Sequence, residues 1–354
     1  MLMKREQIEK AILELAKEAD KFQSSQVFEK LPENFATRQY ISSVINDLVL
    51  KGTLSAAGSK RFTFYALPSN ADTLIDKETR TLQNVDLKEH LIYEELTSKS
   101  ALTKKLNENA SSILDFAFSE MLNNAIEHSA SKRIKIELYR DGKDLVFIIR
   151  DFGVGVFENI KKKYKLATDL DAIQELLKGK ATTAPKAHSG EGIFFTSKSA
   201  DEFVLESFDS RLRVDNRIDD VFVESRERSL RGTKVTFRIT LHTSRHLNDI
   251  FKQYYSDPES FAFDKTVILV KLYTMGPVYV SRSQARRVIS NVEKKFKVLV
   301  LDFDNVPTIG QAFADEIFRV FATKHPEIEI RCVNMNENVE FMVKRAGSTG
   351  KLFT

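Results

Sequence analysis

The sequence predicts an α+β chain of several domains, and three observations carry that expectation. Its 354 residues exceed what a single core usually serves. Apolar residues recur at helical spacing over the first fifty positions and again before residue 128, and each time short alternating runs with a glycine turn follow. Over the last stretch, strand-like apolar runs alternate with helix-like ones, which implies a small mixed sheet covered by helices. The expected partition is a first unit over 1–67, a linker over 68–84, a second unit over 85–240, a linker over 241–264 and a third unit over 265–354.

In the first unit Ile8, Ile12, Leu15 and Ala19 repeat at helical spacing, a second short helix starts at Ser24 or Ser25 and runs to Leu31, and Thr37 caps a third that ends near Gly52. Ile41, Val44, Ile45 and Leu48 give that third helix its inward face. After it, Leu54 and the pair Phe62 and Phe64 flank a turn at Gly58 as a hairpin. Three helices and a hairpin resemble a winged helix-turn-helix. That resemblance implies a third helix offering Arg38, Gln39 and Ser42, with Ser43 and Asn46, to a DNA major groove, and a wing offering Lys60 and Arg61 to a phosphate backbone. Charge pulls the other way: residues 1–67 hold ten Lys or Arg against eight Asp or Glu, so a protein-interaction module is the competing expectation.

The second unit holds the residues that carry chemistry. Glu120, Asn124 and His128 are spaced four apart, so one helical face directs them into a shared pocket. Leu114, Phe118, Leu122 and Ala125 form the neighbouring apolar stripe, which would hold the helix on a sheet and leave the polar row free. An amide oxygen at Asn124 suits a hard cation such as Mg²⁺ shared with substrate phosphates. Glu120, one turn earlier, can orient or deprotonate an attacking water or hydroxyl. Ile134, Ile136 and Leu138 alternate, Asp141 and Gly142 make a hairpin turn, and the apolar run 145–149 ends at Asp151. A carboxylate at that strand end suits the amino group of an adenine, with Gly153 and Gly155 letting the backbone approach the base. Gly190 and Gly192 precede a helix start whose free N–H groups can hold phosphate oxygens. The stretch 157–187, with Lys161, Lys162, Lys163 and Lys165, reads as a mobile lid over those phosphates.

A DxGxG turn or a GxG pair alone is common, and two polar residues on one helix are most often a solvated face. Their joint order, closed by Gly232 and Thr233, resembles the GHKL ATPase superfamily of histidine kinases, gyrase-type topoisomerases, heat-shock chaperones and mismatch-repair ATPases. The resemblance covers about residues 85–240 and is closest to the anti-sigma-factor kinase branch, where His188, Ser189, Gly190 and Gly192 look like the second glycine box and Arg231 to Thr233 like the last. It implies an α/β sandwich of the Bergerat type that binds ATP with Mg²⁺. Glu120 would be the catalytic base, Asn124 the Mg²⁺ ligand, Asp151 the adenine reader, and the 190–192 loop a phosphate contact. A self-phosphorylating histidine kinase is disfavoured, because the only upstream histidine, His90, lacks the acidic residue and proline of a phosphoacceptor helix.

In the third unit the expected order is strands at 267–272 and 278–281, a helix at 284–291, a strand at 298–303, a helix at 311–322, a strand at 328–333 and a helix at 339–345. The run from Val298 through Asp302, Asp304 and Ile309 resembles the STAS fold of anti-anti-sigma factors, and more closely the STAS-like domain fused to GHKL ATPases. Where that family carries a phosphorylatable serine, this chain has Gly310, Gln311 and Ala312, so a docking or sensing role is expected rather than phosphate acceptance.

Composition bounds the rest. With 42% hydrophobic and 29% charged residues and a net charge of +4, the chain reads as an ordinary soluble protein, no apolar run reaches the length of a bilayer span, and the first residues lack a signal peptide's apolar core. One cysteine, Cys332, cannot make an internal disulfide, which fits a cytoplasmic, reducing location. The expected function is a nucleotide-dependent cytosolic regulator that binds ATP, acts on transcription through its winged helix, docks a protein partner through the STAS-like domain, and can form a homodimer. The alternatives are a serine/threonine kinase of the anti-sigma type and a dimerising remodelling ATPase.

Overall fold

The computed structural model describes residues 2–19, 21–32, 35–57, 63–74, 77–100, 102–181, 190–257, 259, 262–273 and 281–347. The chain starts with helix α1 (Leu2–Glu18), a short strand β1 (Phe22–Gln23), α2 (Ser24–Lys30) and α3 (Arg38–Leu50), followed by β2 (Ser55–Ala57) and β3 (Phe64–Ala66). The strands form an antiparallel sheet in the order β1-β3-β2. Thr37 caps α3, its hydroxyl accepting from the Tyr40 N–H at 3.3 Å, which satisfies one of the donors a helix start leaves open. Ile41, Val44, Ile45 and Leu48 are buried against Ile8, Ile12 and Leu15, and Arg5 reaches across to Asp47 at 2.6 Å. The hairpin residues Lys60 and Arg61 lie outside the described residues.

The stretch expected as a linker, 68–84, instead carries a 3-10 turn (Pro68–Leu74) and β4 (Lys77–Gln83). β4 pairs along its whole length with β5 (Arg133–Asp141) and forms the edge of a five-stranded antiparallel sheet in the order β4-β5-β6-β8-β7. Only Leu82 in that strand is apolar, so backbone pairing at a sheet edge holds it where the side-chain pattern gives no sign. Helices α4 (Glu89–Lys99) and α5 (Glu108–Glu127) follow, then β5 and β6 (Asp144–Asp151). Ile113, Leu114, Ala117, Phe118, Met121, Leu122 and Ala125 bury one stripe of α5 on the sheet. Phe118 meets Phe147 edge-on at 5.5 Å, and Phe147 stacks on Phe237 at 4.8 Å, which fixes the height of the helix above the strands.

The stretch expected as a mobile lid is mostly regular. Residues 157–181 lie in or beside α6 (Val156–Tyr164) and α7 (Asp169–Lys178), the latter closed by a capping box between Thr168 and Asp171. Lys161 is held by Glu158 and by Asp169 at 2.6 Å rather than offered to a ligand. Next come α8 (Gly192–Ser199), β7 (Glu202–Asp215) and the long β8 (Asp220–Thr240). The second expected linker also packs: α9 (Leu247–Lys252) buries Ile250, and Tyr254 and Phe263 are buried beyond it. Their rings join Phe194, Phe195 and Phe251 in one aromatic cluster.

The last unit is a parallel sheet in the order β11-β10-β9, from β9 (Lys265–Leu269), β10 (Val298–Asp302) and β11 (Glu329–Val333). The first strand stops at Leu269 and turns into a 3-10 segment (Val270–Tyr273) instead of running to 272. The strand expected at 278–281 falls largely outside the described residues, and Ser281 is the N-cap of α10 (Arg282–Ile289). After β10, α11 (Gln311–Ala314) continues through a π-helical segment (Asp315–Phe321) into α12 (Ala322–Lys324), and α13 (Glu337–Ala346) follows β11. Asp302 accepts from the Asp304 N–H at 2.9 Å and from Asn334 at 3.0 Å, a turn-closing role. One continuous apolar cluster runs from Leu96 to Ala346, so the second and third units share a core, while the first keeps its own. Among the described residues no helix is long and apolar enough to cross a membrane.

Candidate functional site

A cavity of about 290 Å³ opens between α5, the sheet and the start of α8. Glu120, Asn124 and His128 all line it, as do Asp151, Gly155, Gly190, Gly192 and Thr233. The three residues thus face one cavity, although α5 ends at Glu127 and His128 is its C-cap. Gly153 stands just behind the wall. His188 and Ser189 lie outside the described residues. Arg38 and Gln39 are exposed and Ser42 is half-buried on α3, in the separate first unit.

At one end of the cavity Asp151 is 4% exposed. Its Oδ1 accepts from the Gly153 N–H at 2.8 Å and from the Thr233 N–H at 3.2 Å. The Thr233 hydroxyl also bonds to this carboxylate, and it accepts from the Val156 N–H at 3.0 Å. Asp151 and Thr233 together thus join the end of β6 and the middle of β8 to the start of α6. Burial raises the Asp151 pKa above the ordinary carboxylate range, while the hydrogen bonds from Gly153 and Thr233 pull against that rise.

The turn after Asp151 is fixed from α5. The Ser129 hydroxyl donates to the Ala125 carbonyl, its own carbonyl accepts from Val154 at 2.9 Å, and Ser131 accepts from the Phe152 N–H at 3.0 Å. A Cβ on Gly153 would sit 1.7 Å from the Ser129 carbonyl oxygen, so only glycine allows the backbones to meet there. Ile149, Leu205, Val235, Met121 and Ile160 supply apolar walls beside the carboxylate.

The opposite end is polar. Gly192, the first residue of α8, lies so close to Glu120 that a Cβ would come within 2.0 Å of the carboxylate Oε2. The N–H groups of a helix start and a carboxylate therefore share one corner, with Asn124 on the next turn. The residues fit a nucleotide. Apolar walls stand beside a buried carboxylate able to accept from an exocyclic amino group, and a helix start whose N–H groups suit an anion lies beside an amide oxygen suited to Mg²⁺.

Some lining residues escaped the sequence reading. Asn159 donates to the His128 carbonyl at 2.8 Å and ties α6 to the end of α5. It sits one turn after Gly155 on the face shared with Ile160, and a helix start at Gly155 would have placed it. Asn123 and Leu205 carried no signal in their local pattern.

An α-helical layer thus packs on an antiparallel sheet with this pocket between them. Residues 109–243 match the family described as histidine kinase-, DNA gyrase B-, and HSP90-like ATPase. Residues 284–340 match a STAS-like domain of unknown function. The chain thus contains a GHKL-type ATPase domain, which implies ATP binding, joined to a STAS-like domain. A comparison with curated proteins gave no match.

Replacing Asp151 with Asn keeps an acceptor for the Gly153 and Thr233 N–H groups but presents a donor where the adenine amino group needs an acceptor. The variant should unfold as cooperatively as the parent and lose ATP binding in calorimetry; unchanged affinity would show that the base sits elsewhere.

Proposed function

We propose that this chain is an ATP-dependent regulator in which the GHKL domain hydrolyses ATP and the outer units read its state. The single observation that carries the hydrolytic part is the corner where Glu120 meets the start of α8, with Asn124 beside it. When ATP and Mg²⁺ are bound, Asn124 would supply an oxygen ligand to the metal. Gly190 and Gly192 would direct backbone N–H groups at phosphate oxygens, and Asp151 and Thr233 would hold the base. Glu120 would accept the proton of the attacking water.

The first unit acts in this reading as a winged helix. Its support is three helices with an antiparallel sheet in the order β1-β3-β2, and exposed Arg38, Gln39, Ser43 and Asn46 on α3. Ser42 contributes less surface than its neighbours. Lys60 and Arg61 would complete the DNA contact. The STAS-like unit lacks the hydroxyl of an acceptor, with Gly310 as the N-cap of α11, and acts as a docking domain for a protein partner or a second copy in a cytoplasmic dimer.

Glu120→Ala should keep affinity for a non-hydrolysable ATP analogue within a few-fold and lower phosphate release about a hundred-fold or more, the usual contribution of a general base. Labelled ATP and Mg²⁺ should yield free phosphate; label transferred to a second protein would make the chain a serine/threonine kinase of the anti-sigma type instead.

The DNA arm predicts retention of genomic fragments that weakens steeply with salt. Alanine at both Lys60 and Arg61 should flatten the salt slope by about one to two units. No retention at low salt, with or without ATP, would make the first unit a protein-binding module.

A further inference from the structure

Helix α7 lies between the nucleotide cavity and the C-terminal unit, and it buries polar residues beside the apolar Ala172, Ile173 and Leu176. Gln174, Glu175 and Lys178 are 3%, 3% and 4% exposed. Lys178 donates to the Arg287 carbonyl at 2.8 Å, to the Ser290 carbonyl at 3.0 Å and to the Ser290 hydroxyl at 2.9 Å. Those carbonyls belong to the last turn and cap of α10, groups that a helix leaves without internal partners. An ATPase-domain lysine thus caps a helix of the C-terminal unit, where a cation also complements the helix dipole.

The cap is returned. Lys178 is the last residue of α7, and its carbonyl accepts from the Thr266 hydroxyl of β9 at 2.7 Å. One turn earlier, Gln174 donates to the Leu272 carbonyl at 2.7 Å and accepts from Arg287 at 2.8 Å. Glu175 pairs with Lys178 at 3.4 Å and with Lys295 at 2.9 Å. A buried ammonium is costly unless every proton finds an acceptor, so this network tolerates one arrangement of the two units. An apolar contact would hold them together without fixing their register.

Both ends of that contact reach the cavity. Three residues beyond Lys178, Ala181 lines it. On the other side, Phe263, just before β9, stacks on Phe194 at 5.1 Å, and Phe194 adjoins Ile193 and Gly192 at the corner with Glu120.

We propose that Lys178 is a positioning residue. Through its reciprocal capping with α10 and Thr266, docking of the C-terminal unit sets the place of Ala181 and Gly192 relative to Glu120, and so governs ATP turnover rather than ATP affinity. The inference rests on the ATPase reading above. A small displacement of a helix start relative to a catalytic carboxylate is enough, because rates fall steeply with misalignment at the reacting atoms.

Lys178→Met keeps the apolar stem and removes the ammonium; Thr266→Val removes the reciprocal hydroxyl and keeps the shape. Each should lower kcat for ATP hydrolysis about ten-fold or more. Each should change the calorimetric affinity for a non-hydrolysable ATP analogue less than about three-fold, and the double variant should fall no further than the worse single one, as expected for partners in one network. In the parent protein, the analogue should slow amide exchange in α10 as well as in α7, and either substitution should abolish the effect in α10. Should Lys178→Met fail to fold, Thr266→Val decides alone. A lowered melting temperature with kcat preserved, or α10 exchange indifferent to bound analogue, overturns the inference and leaves the ATPase reading intact. No binding of the analogue by the parent protein overturns that reading, and the inference with it.

Discussion

The Asp151 carboxylate is the fixed point of the ATPase domain. It lies at the end of β6, accepts from the turn that follows and from Thr233 on β8, and is shielded from water by apolar walls. A buried carboxylate held this way is stable only while those donors stay in place, so the end of β6, the Gly153 turn and, through the Thr233 hydroxyl, the start of α6 are set together. The serines after α5 close the same turn from the other side, which ties the helix carrying Glu120 and Asn124 to the residue that would read the base. The spacing between the two ends of the cavity follows from that connection and from the stacked Phe147 and Phe237 beneath α5.

The C-terminal unit belongs to the same mechanical frame. Its core is continuous with that of the ATPase domain, and the contact between them runs through α7 and the aromatic cluster at α8. The burial of Lys178 pushes its ammonium pKa down to about 8, with Glu175 pulling back. The N-terminal unit is different. It keeps a separate core, and within it Arg5 and Asp47 tie the first helix to the third.

Local pattern made much of this legible. The repeat of Glu120, Asn124 and His128 beside a buried stripe located one wall of the cavity, and the alternation of Ile134, Ile136 and Leu138 located the strand beside Asp151. Pattern failed where partners are distant in sequence. β4 has almost no apolar residues and is a strand because β5 offers it a free edge. Gln174, Glu175 and Lys178 fall within the stretch read as a mobile lid, yet they are buried because their partners arrive about a hundred residues later. Phe251, Tyr254 and Phe263 sit in a stretch with little regular structure and read as linker, although their rings fill the space against α8. Sequence periodicity reports which face of an element is covered, not which element covers it.

The most direct measurement is a crystal structure of the full chain with a non-hydrolysable ATP analogue and Mg²⁺. The account predicts the adenine amino group within hydrogen-bond distance of Asp151, the metal on the side-chain oxygen of Asn124, and phosphate oxygens against the N–H groups at Gly190 to Gly192. A nucleotide seated elsewhere, with Asp151 still bonded only to Gly153 and Thr233, would contradict it.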